Sequence, residues 1–178
     1  MPVAIPTLES DRLILRGYRD GDFDAYAAMW ADPVVTRFIG GQPISREAAW
    51  TRFLRQLGMW QAAGFGFWVV EDRATGAFLG EAGFHDLRRT LTPSLEGTLE
   101  AGWVFVPAAH GRGIATEAVA AVVAWGDREK PAMRQTCIIH PDNAPSRRVA
   151  GKHGFVAFAQ GAYQGAPTVF FERRRESP

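Results

Sequence analysis

A glycine-rich turn at residues 110–116 is the part of this sequence whose residue types best suit binding chemistry. An apolar run that ends at Pro107 precedes the turn and an amphipathic pattern at 113–129 follows it, so we predict a strand, a turn and a helix. Gly111 and Gly113 allow positive φ angles and let the backbone approach a ligand closely. The first N–H groups of a helix lack intrahelical partners and carry a partial positive charge. The segment therefore predicts a cradle for a phosphate or a pyrophosphate.

The spacing within this turn does not decide which phosphate ligand it binds. A dinucleotide fingerprint would need glycine at positions 111, 113 and 116, but Thr116 occupies the last of them. A P-loop would need a Gly-Lys-Ser/Thr ending, which the turn does not have. From spacing alone, two interpretations stay open: a generic anion cradle, and a tight strand-to-helix turn that binds nothing.

A second segment with polar groups suited to binding precedes another predicted helix, at 144–153. Asn143 is the only asparagine of the chain and lies near Pro145, which favours the first turn of a helix. Asparagine is among the best N-cap residues, so capping is the simplest role for it. Ser146 lies in the first turn of the same helix, and its spacing alone assigns it no chemistry.

Metal and nucleophile chemistry has little support in the sequence. The four histidines show no metal-ligand spacing with cysteine or carboxylate residues, so we predict no metal. The single cysteine, Cys137, lies in an apolar strand, where a buried structural thiol is the expected state. The Gly-x-Ser-x-Gly elbow of a hydrolase does not occur.

Alternating strand and helix patterns must position these segments. Strands are predicted at 12–16, 65–71, 78–85, 99–106, 135–139, 155–158 and 168–172, and helices at 22–31, 45–64, 113–129 and 144–153. Ser45 is the expected N-cap of the second helix, and Gly64 is its expected end. The order predicts an α/β domain with a mixed sheet. Because no repeat or compositional break divides the chain, we predict a single domain over 1–178.

Composition limits the class of partner. Twenty basic and nineteen acidic residues give a formal net charge of +1, which provides no general field for nucleic acid. The apolar run at 118–125 is far shorter than the roughly 20 residues of a membrane span. We therefore expect neither a nucleic-acid nor a membrane partner. The lone cysteine and the lack of a charged segment before an apolar one at the N-terminus favour a cytoplasmic location.

The glycine-rich turn resembles a motif of a known family. His110-Gly-Arg-Gly-Ile-Ala115 is similar to motif A of the GNAT superfamily, Gln/Arg-x-x-Gly-x-Gly/Ala. Gly113 and Ala115 stand at the two small-residue positions, and His110 replaces the usual Gln or Arg. The continuation Ala115-Thr-Glu-Ala118 resembles the RimJ/RimL-like branch, the ribosomal-protein N-terminal acetyltransferases and their relatives.

Two further segments agree with that branch. Residues 8–16 resemble its opening strand, and residues 143–155 resemble its Asn-x-x-Ser…Gly-Phe motif, so the likeness covers 8–158 in the right order. The resemblance implies the GNAT fold, a mixed central sheet of about six or seven strands flanked by about four helices. Two neighbouring parallel strands of this fold, here 99–106 and 135–139, splay apart.

The resemblance also implies that acetyl-CoA is the co-substrate and that its pantetheine arm enters the gap between the splayed strands. The arm would pair with strand backbone as an added strand does, using Val104, Phe105 and Val106. A bulge near residues 102–105 would open the gap, and Gly102 tolerates one. A backbone N–H near Phe105 or Val106 would polarise the thioester carbonyl.

The pyrophosphate would lie on the N–H groups of residues 111–116, with Arg112 adding charge at the rim. Asn143 would hydrogen-bond the pantetheine arm in addition to capping its helix. The residues that the resemblance implies in donor binding are Val104, Phe105, Val106, His110, Gly111, Arg112, Gly113, Ile114, Ala115, Thr116, Asn143 and Ser146.

The same resemblance implies acetyl transfer to a primary amine, a protein N-terminus or a small-molecule amine, by direct attack in a ternary complex. Ser146 would act as the general acid, because a thiol of pKa about 8.5 leaves more readily when it receives a proton. Only a neutral amine attacks a thioester, so a base has a role. Glu100 is the candidate base, with Glu81, Asp86 and water as alternatives.

Two functions of other classes stay open at this point. A non-catalytic acyl-CoA-binding or regulatory module would keep a cradle that is built from backbone. A nucleotide-binding protein would need a phosphate cradle without a pantetheine slot. The family does not fix the amine acceptor, and the sequence leaves both a monomer and a homodimer open.

Overall fold

The computed structural model describes residues 3–173, which form an eight-stranded sheet and five α-helices. The strand order is β1-β2-β3-β4-β5-β6-β8-β7. The strands are β1 Leu8–Glu9, β2 Leu13–Arg16, β3 Phe67–Asp72, β4 Phe78–His85, β5 Leu99–Phe105, β6 Gln135–Ile139, β7 Phe155–Tyr163 and β8 Ala166–Arg173. The helices are α1 Phe23–Trp30, α2 Pro33–Thr36, α3 Arg46–Ala63, α4 Ile114–Glu129 and α5 Ala144–Lys152. The domain predicted over 1–178 extends beyond the described residues at both ends.

The predicted α/β class with a mixed sheet is confirmed, and the structure adds two short elements to it. Strand β1 has two residues and helix α2 has four, so neither is long enough to show a hydrophobic period. Asp32 caps α2 by accepting the Val34 N–H at 2.8 Å. The predicted caps of α3 are found, since Ser45 Oγ accepts the Ala48 N–H at 3.1 Å and Gly64 ends the helix with a φ of +70°.

Each face of the sheet carries a hydrophobic cluster. Because successive side chains of a strand point to opposite faces, Trp68 of β3 packs in the cluster that includes the apolar stripe of α4. Its neighbours Phe67 and Val69 pack in the second cluster, with residues of α1 and α3. The two clusters hold α4 and the α1–α3 layer on either side of the central strands.

The parallel strands β5 and β6 separate soon after they meet. They pair only at Leu99 with Gln135 and at Glu100 with Thr136, although β5 continues to Phe105. Beyond this point β6 pairs on its other side, with β8. The remaining length of β5 therefore has no strand partner on the β6 side, which is the predicted splay.

The predicted bulge in residues 102–105 is wrong. The register between β4 and β5 is unbroken from the Gly80–Phe105 pair to the His85–Glu100 pair. The gap opens because β5–β6 pairing ends, without an inserted residue in β5. Gly102 has another reason to be small, since a Cβ there would lie 2.7 Å from Phe67 Cζ.

Candidate functional site

A cleft of about 610 Å³ lies beside the unpaired part of β5, at the N-termini of α4 and α5. The segment around α2 forms its outer wall. Ten of the predicted binding residues line it: Val104, Phe105, His110, Gly111, Gly113, Ile114, Ala115, Thr116, Asn143 and Ser146. Val106 and Arg112 are the predicted binding residues outside this lining.

The turn before α4 has the backbone geometry of an anion cradle. Gly111 and Gly113 have φ angles of +72° and +75°, and Gly113 is the N-cap of α4. The Glu117 N–H donates to Gly113 O at 3.1 Å and so makes the first helical bond. The N–H groups of residues 114–116 precede that bond, lack an intrahelical acceptor and belong to residues that line the cleft. Such a cluster of unpaired donors suits a phosphate group.

Hydrogen bonding to β4 decides which backbone groups of β5 face the gap. The Val106 N–H donates to Leu79 O at 2.9 Å, next to the β4–β5 ladder. Bonded pairs alternate in an antiparallel ladder, so the N–H and C=O of Val104 point towards β4 as well. The backbone groups of Trp103 and Phe105 point to the opposite side, where β6 has moved away.

The prediction that Val104 and Val106 offer backbone groups to a ligand in the gap is therefore wrong. For the same reason the Val106 N–H does not polarise a carbonyl there. The backbone N–H and C=O groups that do face the gap belong to Phe105 and to Trp103, which the sequence reasoning missed. Leu99 also turns its backbone groups to this side, and its N–H donates to Arg134 O, just before β6, at 2.8 Å. The deciding signal is the register between two strands, which no local pattern reveals.

The side chains of His110 and Arg112 contact backbone carbonyls and place no charge in the cleft. His110 Nε2 lies 2.9 Å from Phe105 O and ties the turn to the end of β5. Arg112 is exposed, and its Nη1 donates to Ala108 O at 3.3 Å. The structure therefore does not place the Arg112 side chain at the rim of the cleft, as the sequence reasoning expected.

The first turn of α5 brings two polar side chains to the cleft. Asn143 Oδ1 accepts the Ser146 N–H at 3.2 Å and caps the helix. Both residues line the cleft and are half-buried. Within residues 3–173 the Ser146 hydroxyl forms no hydrogen bond, so it is available to a ligand. Capping uses only the side-chain oxygen of Asn143, which leaves its NH₂ group as a donor.

Comparison with known proteins now decides the family. Residues 12–156 match the family described as the acetyltransferase (GNAT) domain. The chain belongs to the GNAT acetyltransferase family. It is 31% identical over 151 residues to an uncharacterized N-acetyltransferase of Bacillus subtilis, YoaA, a match that covers 84% of this chain and 82% of the relative. Acetyl transfer is the general reaction of this family, and its members take the acetyl group from acetyl-CoA.

Solved structures agree with this assignment. A protein of Bordetella pertussis described as a GNAT-family acetyltransferase is 34% identical, with a TM-score of 0.83 over 95% of this chain and 99% of that one. RimL, described as a ribosomal L7/L12 alpha-N-protein acetyltransferase in complex with coenzyme A, is 15% identical, with a TM-score of 0.74 over 94% and 97% of the two chains. The likeness to the RimJ/RimL-like branch is thus confirmed at the level of the fold.

Glu100, the predicted base of this acetyltransferase, lies where β5 is still paired with β6. Its carboxylate forms an ion pair with Arg89, and His85 Nε2 lies 3.1 Å from Glu100 Oε1. Burial by itself would raise the pKa of the Glu100 carboxyl, but the interactions with His85 and Arg89 outweigh burial and hold the pKa below its ordinary value. The residue does not line the cleft, and its charge is committed to these partners.

Glu81 of the acetyltransferase is a buried carboxylate opposite Val104 in the β4–β5 ladder. The Tyr18 hydroxyl donates to Glu81 Oε2, and Gln56 Nε2 donates to the same oxygen at 3.0 Å. Burial raises the pKa of the Glu81 carboxyl, and the two hydrogen bonds and the charge of Arg52 oppose that shift only in part.

Asp86, the third predicted carboxylate, supports the loop after β4. Its oxygens accept the Arg88 N–H at 3.1 Å and the Gly97 N–H at 3.0 Å. These bonds to backbone give it a structural role, and it does not line the cleft.

The segment around α2 gives the acetyltransferase an apolar wall built from residues that the sequence reasoning did not name. Val34 is 58% exposed and Ile39 is 36% exposed, and both line the cleft together with Phe38. The Phe38 ring packs against the His140 ring, just after β6, with 5.4 Å between the two ring centroids. Exposed apolar side chains in a concave site are stabilised when a ligand covers them.

Neither a metal site nor a reactive thiol is found in the part of the chain that the structure describes. Among residues 3–173, no three His, Cys, Asp or Glu side chains come close enough together to hold a metal ion. Cys137 is buried, and burial raises the pKa of its thiol well above the ordinary value. Over the same range, the helices are too short or too polar to span a bilayer.

Proposed function

We propose that this acetyltransferase moves the acetyl group of acetyl-CoA to a primary amine by direct attack in a ternary complex. The supporting observation is the junction of two features: unpaired helix N–H groups at 114–116 and, next to them, a strand whose backbone faces an open gap. The first feature suits a pyrophosphate, and the second suits the amide-bearing arm of pantetheine. A plain nucleotide would use the first and leave the second empty.

In this proposal the chain binds the donor mainly through its backbone. The N–H groups of residues 113–116 receive the pyrophosphate, and the arm pairs with Trp103 and Phe105 along β5. The NH₂ group of Asn143 is the side-chain donor to the arm. The apolar wall around Phe38 covers the arm and excludes water from the thioester, which strengthens the polar contacts inside the cleft.

The transfer step needs one proton to leave the amine and one to reach the sulfur. The amine nitrogen attacks the thioester carbon, the N–C bond forms, and the C–S bond breaks to release the thiolate of CoA. We propose that Ser146 protonates or hydrogen-bonds this thiolate, since its hydroxyl lies in the cleft. The Trp103 N–H faces the gap farther from the cradle than Phe105 does, so it is our candidate for polarising the thioester carbonyl at the end of the arm. Most of the rate enhancement in this account comes from positioning the amine against the thioester.

We propose that Glu81, which like Glu100 and Asp86 lies outside the lining of the cleft, takes the amine proton through a water molecule. Its raised pKa makes it the stronger base of the two buried carboxylates. Glu100, the base predicted from the sequence, would weaken its contacts with Arg89 and His85 if it accepted a proton. The pair of variants Glu81→Gln and Glu100→Gln distinguishes the two. We expect kcat to fall about 10²-fold in Glu81→Gln at unchanged CoA affinity. A wild-type kcat in Glu81→Gln together with a reduced kcat in Glu100→Gln would show that Glu100 is the general base.

The acceptor that we propose is a primary amine, either the α-amino group of a protein or a small-molecule amine. An α-amino group of pKa about 7.8 is roughly 10–15% neutral at pH 7, whereas a lysine amine of pKa about 10.4 is neutral less than about 0.1% of the time. An α-amino group therefore needs little help from a base. A single domain over the whole chain, a cytoplasmic location and a monomeric or homodimeric state stay predictions.

Two measurements on the wild-type protein test the proposal. Calorimetry with CoA should show saturable binding, and incubation with acetyl-CoA and a panel of N-terminal peptides and small amines should release free thiol. Absence of CoA binding would refute the proposed function. Tight CoA binding without thiol release across the panel, unchanged in Ser146→Ala, would instead support an acyl-CoA-binding module. Equal thermal stabilisation by ADP and CoA would support a nucleotide binder.

A further inference from the structure

A network of polar side chains joins the start of β2 to the first turn of α4, outside the lining of the cleft. Glu117 accepts hydrogen bonds from the Arg12 N–H at 2.8 Å, from Arg12 Nε at 2.7 Å and from Ser10 Oγ at 2.7 Å. Arg12 Nη1 donates to the Arg112 carbonyl at 2.9 Å. One guanidinium therefore contacts both the helix and the turn that together form the cradle.

The bond to the Arg112 carbonyl fixes the orientation of one peptide unit of the turn. The C=O and N–H of a trans peptide point in opposite directions. Because Arg12 holds the carbonyl of the Arg112–Gly113 peptide, the Gly113 N–H points away from Arg12. Gly113 lines the cleft, and a Cβ added to it would lie 3.4 Å from Arg12 Nη2. Gly113 thus has Arg12 on one side and the cleft on another.

Glu117 in turn fixes Arg12. Burial by itself would raise the pKa of the Glu117 carboxyl, but the hydrogen bonds from Arg12 and Ser10 outweigh burial and hold the pKa below its ordinary value. The group stays ionised at neutral pH and binds Arg12 as a charged partner. A bare carboxylate in the first turn of α4 would repel a pyrophosphate, and pairing with Arg12 offsets that charge.

We propose that Arg12, held by Glu117, is a positioning residue that keeps the Arg112–Gly113 peptide turned so that its N–H meets the pyrophosphate of the donor. The inference rests on the proposed function, because it requires a pyrophosphate-bearing ligand in the cradle.

The test is the kinetics of Arg12→Ala with two acetyl donors. With acetyl-CoA, we expect KM to rise about tenfold, the equivalent of one weakened hydrogen bond to a charged group, at unchanged kcat and unchanged KM for the amine. With S-acetylpantetheine, which lacks the pyrophosphate, we expect kcat/KM to equal that of the wild type. Arg128→Ala is the matched control, since it removes an exposed ion pair with Glu129 in the last turn of the same helix. It should change neither donor's kinetics.

Several results would overturn the proposal. An unchanged KM for acetyl-CoA in Arg12→Ala would do so, and so would an equal loss with both donors, because that pattern marks a general structural role. Arg12→Lys and Glu117→Gln keep the test available if Arg12→Ala does not fold. A lysine ammonium cannot reproduce the fork that reaches both Glu117 and the Arg112 carbonyl, so KM for acetyl-CoA should rise there too. A wild-type KM in both variants would refute the inference, whereas a wild-type protein that binds no CoA refutes the proposed function itself.

Discussion

Gly113→Ala tests the cradle through a perturbation whose size follows from the backbone. Gly113 has a φ of +75°, and a side-chain-bearing residue in the left-handed region costs about 1–2 kcal/mol. The added Cβ would lie 3.4 Å from Arg12 Nη2, which is an ordinary contact. The substitution therefore acts through backbone strain at residue 113 and not through a steric clash. About 1 kcal/mol lowers the Tm of a domain of this size by roughly 2–4 °C. We therefore expect a decrease in Tm of about 2–8 °C.

The same strain should also weaken CoA binding. Rotation of the turn towards negative φ relieves the strain but moves the Gly113 N–H and its neighbours away from the pyrophosphate. Loss of one hydrogen bond to a charged group is worth about 1.5–3 kcal/mol, so the Kd for CoA should rise about 10- to 150-fold. The measurement is isothermal calorimetry with CoA, with thermal melting of the same samples.

Gly76→Ala is the matched control for this variant. Gly76 has a φ of +70°, and a Cβ there would meet no heavy atom within 4 Å. It lies in the turn between β3 and β4 and does not line the cleft, so its substitution should lower Tm by a similar amount and leave the Kd for CoA unchanged. A wild-type Kd in Gly113→Ala would refute the reasoning, and an equal rise in Kd in both variants would show that strain acts through global stability.

Four further expectations follow from the site. Ser146→Ala should lower kcat about 10²-fold without changing CoA affinity, by thiol release and calorimetry; a wild-type kcat would remove the general acid from the account. Ala115→Glu places a carboxylate in the first turn of α4 and should abolish CoA binding in a protein that still melts cooperatively, and retained binding would contradict the cradle. Glu81 has a folded-state pKa raised by burial, so its contribution to stability is present below the unfolded pKa and is lost as the pH rises through the folded value. The Tm difference, Glu81→Gln minus wild type, should therefore become more positive as the pH rises from about 4.5 to neutral. A Tm difference that stays constant over this pH range would contradict the raised pKa of Glu81. Burial raises the pKa of Cys137 and leaves the residue 1% exposed, so a thiol reagent should label it only in denaturant; fast labelling of the native protein would contradict its burial.

Features set by neighbouring residues were accessible to sequence reasoning. The turn around Gly113 has left-handed backbone angles, which Gly111 and Gly113 in the sequence predict. Asn143 caps α5, as its position near Pro145 predicts. The splay of β5 and β6 came from family resemblance, and the structure confirms it through the early end of their pairing.

Features that depend on distant parts of the chain were not accessible. Whether Val104 or Trp103 faces the gap depends on the register of β5 against β4, and a shift of one residue reverses the answer. Glu100 looked like a free carboxylate because its partner Arg89 lies in a loop whose path no pattern predicts. The link between Arg12 and the cradle spans about 100 residues of sequence and exists only once β2 lies beside α4.

A crystal structure of the protein with CoA is the most direct test of the central claim, that the main-chain N–H groups at the start of α4 hold a diphosphate whose tether runs into the gap beside β5. The account predicts phosphate oxygens within about 3 Å of the N–H groups of residues 113–116, and the pantetheine amides paired with Trp103 and Phe105. Phosphates bound elsewhere, or a gap that stays empty while CoA is bound, would contradict it.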